Sequence, residues 1–273
     1  MIAVAPEVWT FKSDVGLRKR YFVPESFAHP AKAHMLLIQK LVARYTLLGE
    51  TILDPMAGTG TLLLAATLQR NVILRELEPS YVALIEASVP IVRRAGGMFC
   101  GQIDVGQADA RTISCPAFDH ILFSPPYGFE TGKGVTEERI AEFNERGWTR
   151  KLGGYTAKTM TGGFQYEGGR GNIGNKTGRS YWREMRMVYA RLAEMLTGPG
   201  HMILILKNHY RRGKLIDVVA QTVVECEALG FALVERHARR VGNPSHWQRR
   251  RVEQGLPIVE HEDVLVFKKA GAS

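Results

Sequence analysis

Two short clusters in this chain have residue types and spacing suited to chemistry. The first is Thr51 to Thr61, T-I-L-D-P-M-A-G-T-G-T. Its apolar pair, Ile52 and Leu53, leads into Asp54, Pro55 and a small-residue turn, Ala57-Gly58-Thr59-Gly60. Glycines there let the backbone approach a ligand closely. Gly-x-Gly by itself is equally the tight turn of an ordinary strand-to-helix connection. The second cluster is Ser124-Pro125-Pro126-Tyr127. Two prolines cannot continue a hydrogen-bonded ladder, so they stiffen a turn and leave carbonyls pointing outward. A small hydroxyl, a rigid carbonyl and an aromatic face suit a flat base with an exocyclic amine, although Pro-Pro also simply ends strands. Two acids lie between the clusters. Glu76 comes some 20 residues after the glycine turn, where nucleotide-binding sheets place a carboxylate for the ribose hydroxyls. Glu78 is a rival in the same alternation phase, and Pro79 favours Glu76 by ending the strand. Asp109 is placed to accept a hydrogen bond from an adenine amine, or else caps a loop.

These residues need a scaffold that brings distant turns to one edge. Ile52-Leu53, Val72 to Leu77, Gln102 to Asp109, Asp119 to Phe123 and Met202 to Leu206 read as strands, the most apolar of them buried and parallel. Ala232 to Arg240 and Val264 to Lys268 read as closing strands. Helices are predicted over Ala33 to Leu47, from Leu62, over Tyr81 to Arg94, Tyr181 to Leu196 and Lys214 to Leu229, with Gly49 and Gly230 as stops. Strand, glycine turn and helix is the first unit of a nucleotide-binding sheet. Residues 1–28 read as an irregular N-terminal arm with a basic knot, Arg18-Lys19-Arg20. Residues 29–273 read as one domain with a glycine-rich basic insertion at about 128–179, in which a short helix is predicted over Thr136 to Arg146.

The chain has 273 residues and a net charge of +9, which favours a polyanionic partner. A hydrophobic fraction of 45% is enough for a sizeable core. Cys100, Cys115 and Cys226 show no disulfide or zinc spacing, and no metal site is expected. The N-terminus lacks a signal-peptide pattern and no apolar run approaches the ~20 residues of a membrane span. The chain therefore reads as a cytoplasmic protein without membrane contact, and carries no signal for an oligomeric state. Cations that would pair with phosphates are Arg150, Lys151, Lys158, Arg170, Lys176 and Arg179 in the insertion, Arg211 and Arg212 after the Met202 strand, and Arg249 and Arg250 in a basic cluster with Trp247. Each is equally a solvated surface charge.

The order of these motifs resembles the S-adenosylmethionine-dependent amino-methyltransferases that act on exocyclic nitrogens of bases. D-P-M-A-G-T-G and S-P-P-Y carry the likeness most specifically. H-P-A-K followed by a helix, and R-E-L-E-P-S-Y, resemble the DNA cytosine-N4 and adenine-N6 members. The resemblance implies a Rossmann-like α/β fold with a mostly parallel seven-stranded sheet and helices on both faces. It implies S-adenosylmethionine as cofactor, with Asp54, Pro55, Ala57, Gly58, Thr59, Gly60 and Thr61 around its methionine end and near ribose face. Pro30, Ala31 and Lys32 would lie near its amino-acid end, Glu76 on the ribose, and Asp109 and Ala110 at the adenine. Ser124 and the Pro125 carbonyl would accept hydrogens from the target amine, Pro126 would stiffen the motif, and Tyr127 would stack on the base. Ser at position 124 resembles the cytosine-N4 enzymes. The catalytic motif follows the glycine motif here, whereas it precedes it in many relatives with H-P-A-K. The reaction so implied is DNA cytosine-N4 methylation. Its alternatives are DNA adenine N6, an RNA base (guanine N2 or adenine N6), and a non-catalytic nucleic-acid-binding subunit.

Overall fold

Four apolar runs, Ile52-Leu53, Val72-Ile73-Leu74, Ile121-Leu122-Phe123 and Ile203-Leu204-Ile205, set the architecture. Runs without polar alternation suit strands covered on both faces. The computed structural model describes residues 6–28, 32–126, 171–211, 214–241 and 246–269. In it these runs form β2 (Thr51–Asp54), β3 (Asn71–Glu76), β5 (His120–Phe123) and β6 (His201–Leu206). With β1 (Glu7–Trp9), β4 (Ile103–Gln107), β9 (Phe231–Arg240) and β10 (His261–Lys269) they make one eight-stranded sheet, in the order β1-β9-β10-β6-β5-β2-β3-β4. The five strands from β4 to β6 in that order are parallel to their neighbours. β10 lies antiparallel between β6 and β9.

Alternate residues of the sheet feed two cores. Ile52, Val72, Leu74, Leu122 and Ile203 pack with α2 (Met35–Tyr45), the 3-10 helix Thr61–Leu68 and α3 (Pro79–Gly96). Leu53, Ile73, Ile121, Phe123 and Leu204 pack with α4 (Gly178–Met195) and α5 (Val218–Glu227). Helices therefore cover both faces, and the fold is the Rossmann-like α/β arrangement. β2 pairs with β3 on one side and with β5 on the other. The direction of winding reverses between β2 and β5, and the carboxyl ends of strands at such a point form a ligand crevice. Among the described residues no helix is long and apolar enough to cross a membrane.

Three features depart from the sequence reading. The sheet has eight strands rather than seven, because β1 adds to the outer edge of β9. Residues 6–28 are not irregular: they hold β1, α1 (Val15–Tyr21) and a 3-10 helix, Pro24–Ala28. The helix expected from Lys214 begins at Val218, and Lys214–Ile216 pairs instead with His209–Arg211 as the β7–β8 hairpin. Asp217 sets that boundary, since its side chain accepts the Ala220 N–H and caps α5. The basic cluster after Gly242 includes a helix, α6 (His246–Glu253). The helix predicted over Thr136 to Arg146 lies outside the described residues.

Candidate active site

The chain leaves β2 at Asp54 and turns back over the sheet edge through two left-handed glycines, Gly58 (φ +54°) and Gly60 (φ +77°). A Cβ on Gly60 would come within 2.9 Å of the Ile85 side chain on α3. Glycine there is thus required by both conformation and space. Glu76, at the end of β3, locks this turn: its carboxylate accepts the N–H groups of Gly58 (2.7 Å), Leu77 (2.7 Å) and Glu78 (3.0 Å). Burial still raises its pKa above the ordinary value. Asp54 is 7% exposed and accepts the Met56 N–H at 3.0 Å. Burial, followed by the neighbouring Glu76 charge, pushes its pKa up to about 8. Neither carboxyl forms an ion pair among the described residues.

Both acids face one cavity, which brings together most of the residues expected at the cofactor and the target amine. It is lined by Pro55, Ala57, Gly58, Thr59 and Thr61 of the turn, by Asp109 and Ala110 beyond β4, by Ser124, Pro125 and Pro126 beyond β5, and by Lys32 ahead of α2. Gly60 stands behind the lining, against Ile85. Burial lowers the Lys32 pKa to about 8, and its ammonium donates to the Phe27 carbonyl at 3.0 Å. Pro30, Ala31 and Tyr127 lie outside the described residues.

The serine motif is oriented by its surroundings. Ser124 Oγ donates to the Ile205 carbonyl on β6 at 3.0 Å. Its one hydrogen is thereby committed, and its lone pairs remain to accept. Tyr181 Oη donates to the Pro126 carbonyl at 2.8 Å, fixing the second proline from α4.

Several site residues were not found by sequence reasoning. Arg111 clamps the Asp109 carboxylate through its guanidinium and backbone N–H. It also donates to Glu184 on α4 at 2.6 Å and to the Gly171 carbonyl at 3.1 Å. The Arg111 hydrogen bonds hold Asp109 below the usual carboxylate range, and those to Glu184 lower that group to about 2. Glu78 does not share the main cavity. It lines an adjoining recess with Arg111 and Asn172, and accepts from Asn172 Nδ2 at 2.9 Å. Arg18 is buried and joins Thr61 Oγ1 (3.2 Å), Asp14 (3.2 Å) and the Ala33 carbonyl (2.7 Å). It is an internal tie between the N-terminal arm and the glycine turn, not part of a nucleic-acid surface, while Lys19 and Arg20 are exposed. Each also has a near partner, Asp14 for Arg18 and Asp109 for Arg111, but the ties to Thr61 and Glu184 that link separate elements are long-range and leave no mark in local spacing.

The basic residues divide. Lys176 forms an ion pair with Glu184 at 3.0 Å. Arg179 and Arg249 are exposed. Arg150, Lys151, Lys158, Arg170 and Arg212 lie outside the described residues, as do the side chains of Arg211 and Arg250. The β7–β8 hairpin carrying Arg211 meets α6 where the Arg251 guanidinium lies 5.5 Å over the Tyr210 ring. Two basic stretches some 40 residues apart in sequence thus converge. Asn208 steadies the hairpin root, donating to Asp217 at 2.9 Å and accepting the Val219 N–H at 3.0 Å.

The Rossmann-like sheet brings a glycine turn, an acid on the next strand and a rigid acceptor motif to one crevice, an arrangement suited to an S-adenosylmethionine-dependent methyltransferase. The donor set suits that cofactor. Two buried carboxyls short of cations match its ammonium, sulfonium and hydroxyl groups, and the left-handed glycines leave backbone open beside them. Residues 5–87 match the family model described as N6_N4_Mtase, DNA methylase, which bears out the likeness read from the motifs. The matched segment holds the glycine turn and Glu76 and ends before Ser124. No curated protein matches the sequence. Among solved structures, one described as a candidate RNA methyltransferase from Pyrococcus horikoshii is 14% identical, with a TM-score of 0.52 over 94% of this chain and 97% of that one. Magnesium protoporphyrin IX methyltransferase from Synechocystis, solved with bound SAH, is 10% identical, with a TM-score of 0.50 over 86% and 81%. TrmN from Thermus thermophilus is 16% identical at a TM-score of 0.46, and the chain covers 52% of its length while 90% of the chain is matched. The first two of these similarities show the fold.

Proposed function

We propose that this chain methylates an exocyclic amine of a DNA base, cytosine N4 first among the candidates. The observation that carries the reading is the orientation of Ser124. Its hydroxyl hydrogen is spent on Ile205, so Oγ presents acceptor lone pairs to the same cavity as Asp54 and Glu76. The Pro125 carbonyl is the second acceptor, held in place by the rigid Pro-Pro turn. An exocyclic amine is a poor nucleophile because its lone pair is delocalised into the ring. Accepting its two hydrogens at Ser124 and Pro125 favours a pyramidal nitrogen with a localised pair. The bound cofactor supplies an activated methyl group. Asp54 and the 57–60 turn would hold its methionine end, Glu76 its ribose, and Asp109, steadied by Arg111, its adenine amine. Alignment of this kind contributes up to ~7–11 kcal/mol in well-oriented systems. A base in a duplex must first leave the stack, at a cost of a few kcal/mol, and Tyr127 is proposed to stack on it.

The test is transfer of labelled methyl to DNA and to RNA, followed by nucleoside analysis. N4-methylcytosine in DNA is the expected product; N6-methyladenine, or label in RNA alone, replaces the substrate assignment. Ser124→Ala should lower kcat about 10- to 100-fold, the 1–3 kcal/mol of a lost buried acceptor. Cofactor affinity should stay near wild type, and an equal fall in both would remove Ser124 from this role.

A further inference from the structure

The carboxyl end of the sheet carries a second charged group beside the amine pocket. Lys207 is the first residue beyond β6, two positions after the Ile205 whose carbonyl holds Ser124. Pairing of Leu206 with Asp263 puts Glu262 across from Lys207, and Glu262 in turn pairs with Arg239. Three neighbouring strands thus end in a row of Lys207, Glu262 and Arg239. The single acid is already used, since Arg239 donates to Glu262 through Nε at 2.9 Å and Nη2 at 2.7 Å. Two cations and one anion leave the row one positive charge in excess.

Lys207 is half-buried, and its ammonium makes no hydrogen bond among the described residues; its charged neighbours are Glu262 and Arg239. Burial holds its pKa below the ordinary lysine value. An ammonium removed from water without an acceptor is costly, and an anionic ligand would relieve that cost. The surroundings point to the substrate side. Lys32 already lines the cofactor cavity, whereas Lys207 does not. Lys207 also leads directly into the β7–β8 hairpin, against which α6 brings Arg251, with Arg249 exposed on the same helix.

We propose that Lys207, backed by the Arg239–Glu262 pair, binds a backbone phosphate of the nucleic acid next to the nucleotide being methylated. This rests on the reading of a nucleic-acid substrate. Oligonucleotide affinity would be measured by fluorescence anisotropy across a salt series for wild type, Lys207→Gln, Lys207→Met and Lys207→Arg, with cofactor affinity and thermal melting followed alongside. Both neutral variants should lower the slope of log K against log salt by about 0.7–0.9, the share of one phosphate contact. Lys207→Arg should restore the slope, and cofactor affinity should not change. An unchanged slope in the folded neutral variants overturns the proposal. So does loss of cofactor affinity in its place, which would assign Lys207 to the cofactor's carboxylate. If wild type neither binds nor methylates nucleic acid, the substrate reading itself fails. If it does both and the slope is unmoved, only the Lys207 assignment fails.

Discussion

At the scale of single residues, burial has put Asp54 out of its usual range, from 3.8 to about 8. Between those values the native chain holds a proton that the unfolded chain has lost. The native state binds more protons there, so the stability of the ligand-free protein falls as pH rises through that window. Glu76 is shifted in the same direction and adds to the fall. In Asp54→Asn the decline should flatten by as much as one proton's worth, read from urea unfolding at several pH values across the window. The same variant should bind cofactor at least tenfold more weakly by calorimetry. Normal binding would take Asp54 out of the site.

At the scale of elements, legibility followed the range of the interactions. β2, β3, β5 and β6 could be read because unbroken apolar runs between turns are local signals. Asp54, Glu76 and Ser124 stand out in the sequence because each sits at the end of such a run, whereas Asp109 follows the mixed strand β4. β1 has three residues and cannot show a period. β8 falls inside the helical pattern from Lys214, which Asp217 interrupts. The tie from Arg111 to Glu184 and that from Asn172 to Glu78 span 73 and 94 positions, which no local pattern shows. Arg111 shows what such links do: it joins the end of β4 to α4 through Asp109 and Glu184. Its side chain is only 18% exposed, but it keeps some solvent screening. Arg111→Ala should therefore cost about 1–2 kcal/mol of stability. Cofactor affinity should drop more than kcat, because Asp109 loses its orientation. Titration calorimetry and denaturant melts check both.

At the scale of the whole molecule, the +9 charge is not spread evenly through the working parts. Arg18, Arg111 and Lys176 are consumed internally. What remains for a polyanion includes the hairpin and α6, close to the carboxyl end of the sheet. Reversing Lys214 and Arg249 to Glu should weaken oligonucleotide binding by tenfold or more at low salt and leave cofactor binding unchanged. Gel shifts at two ionic strengths would show it, and equal binding would move the interface elsewhere.

β1 touches nothing in the reaction crevice, yet it guards the far side of the sheet. It lies parallel to His237–Arg239 of β9, with Trp9 5% exposed and stacked on the His237 ring at 4.4 Å. Without it, the His237–Arg239 stretch of β9 would present its edge amides unpaired by β1, and an open edge invites clumping. A protein shortened beyond Trp9 should therefore form larger particles by light scattering, though its chemical apparatus is intact. The opening residues act as a selvedge that keeps the weave from fraying into its neighbours.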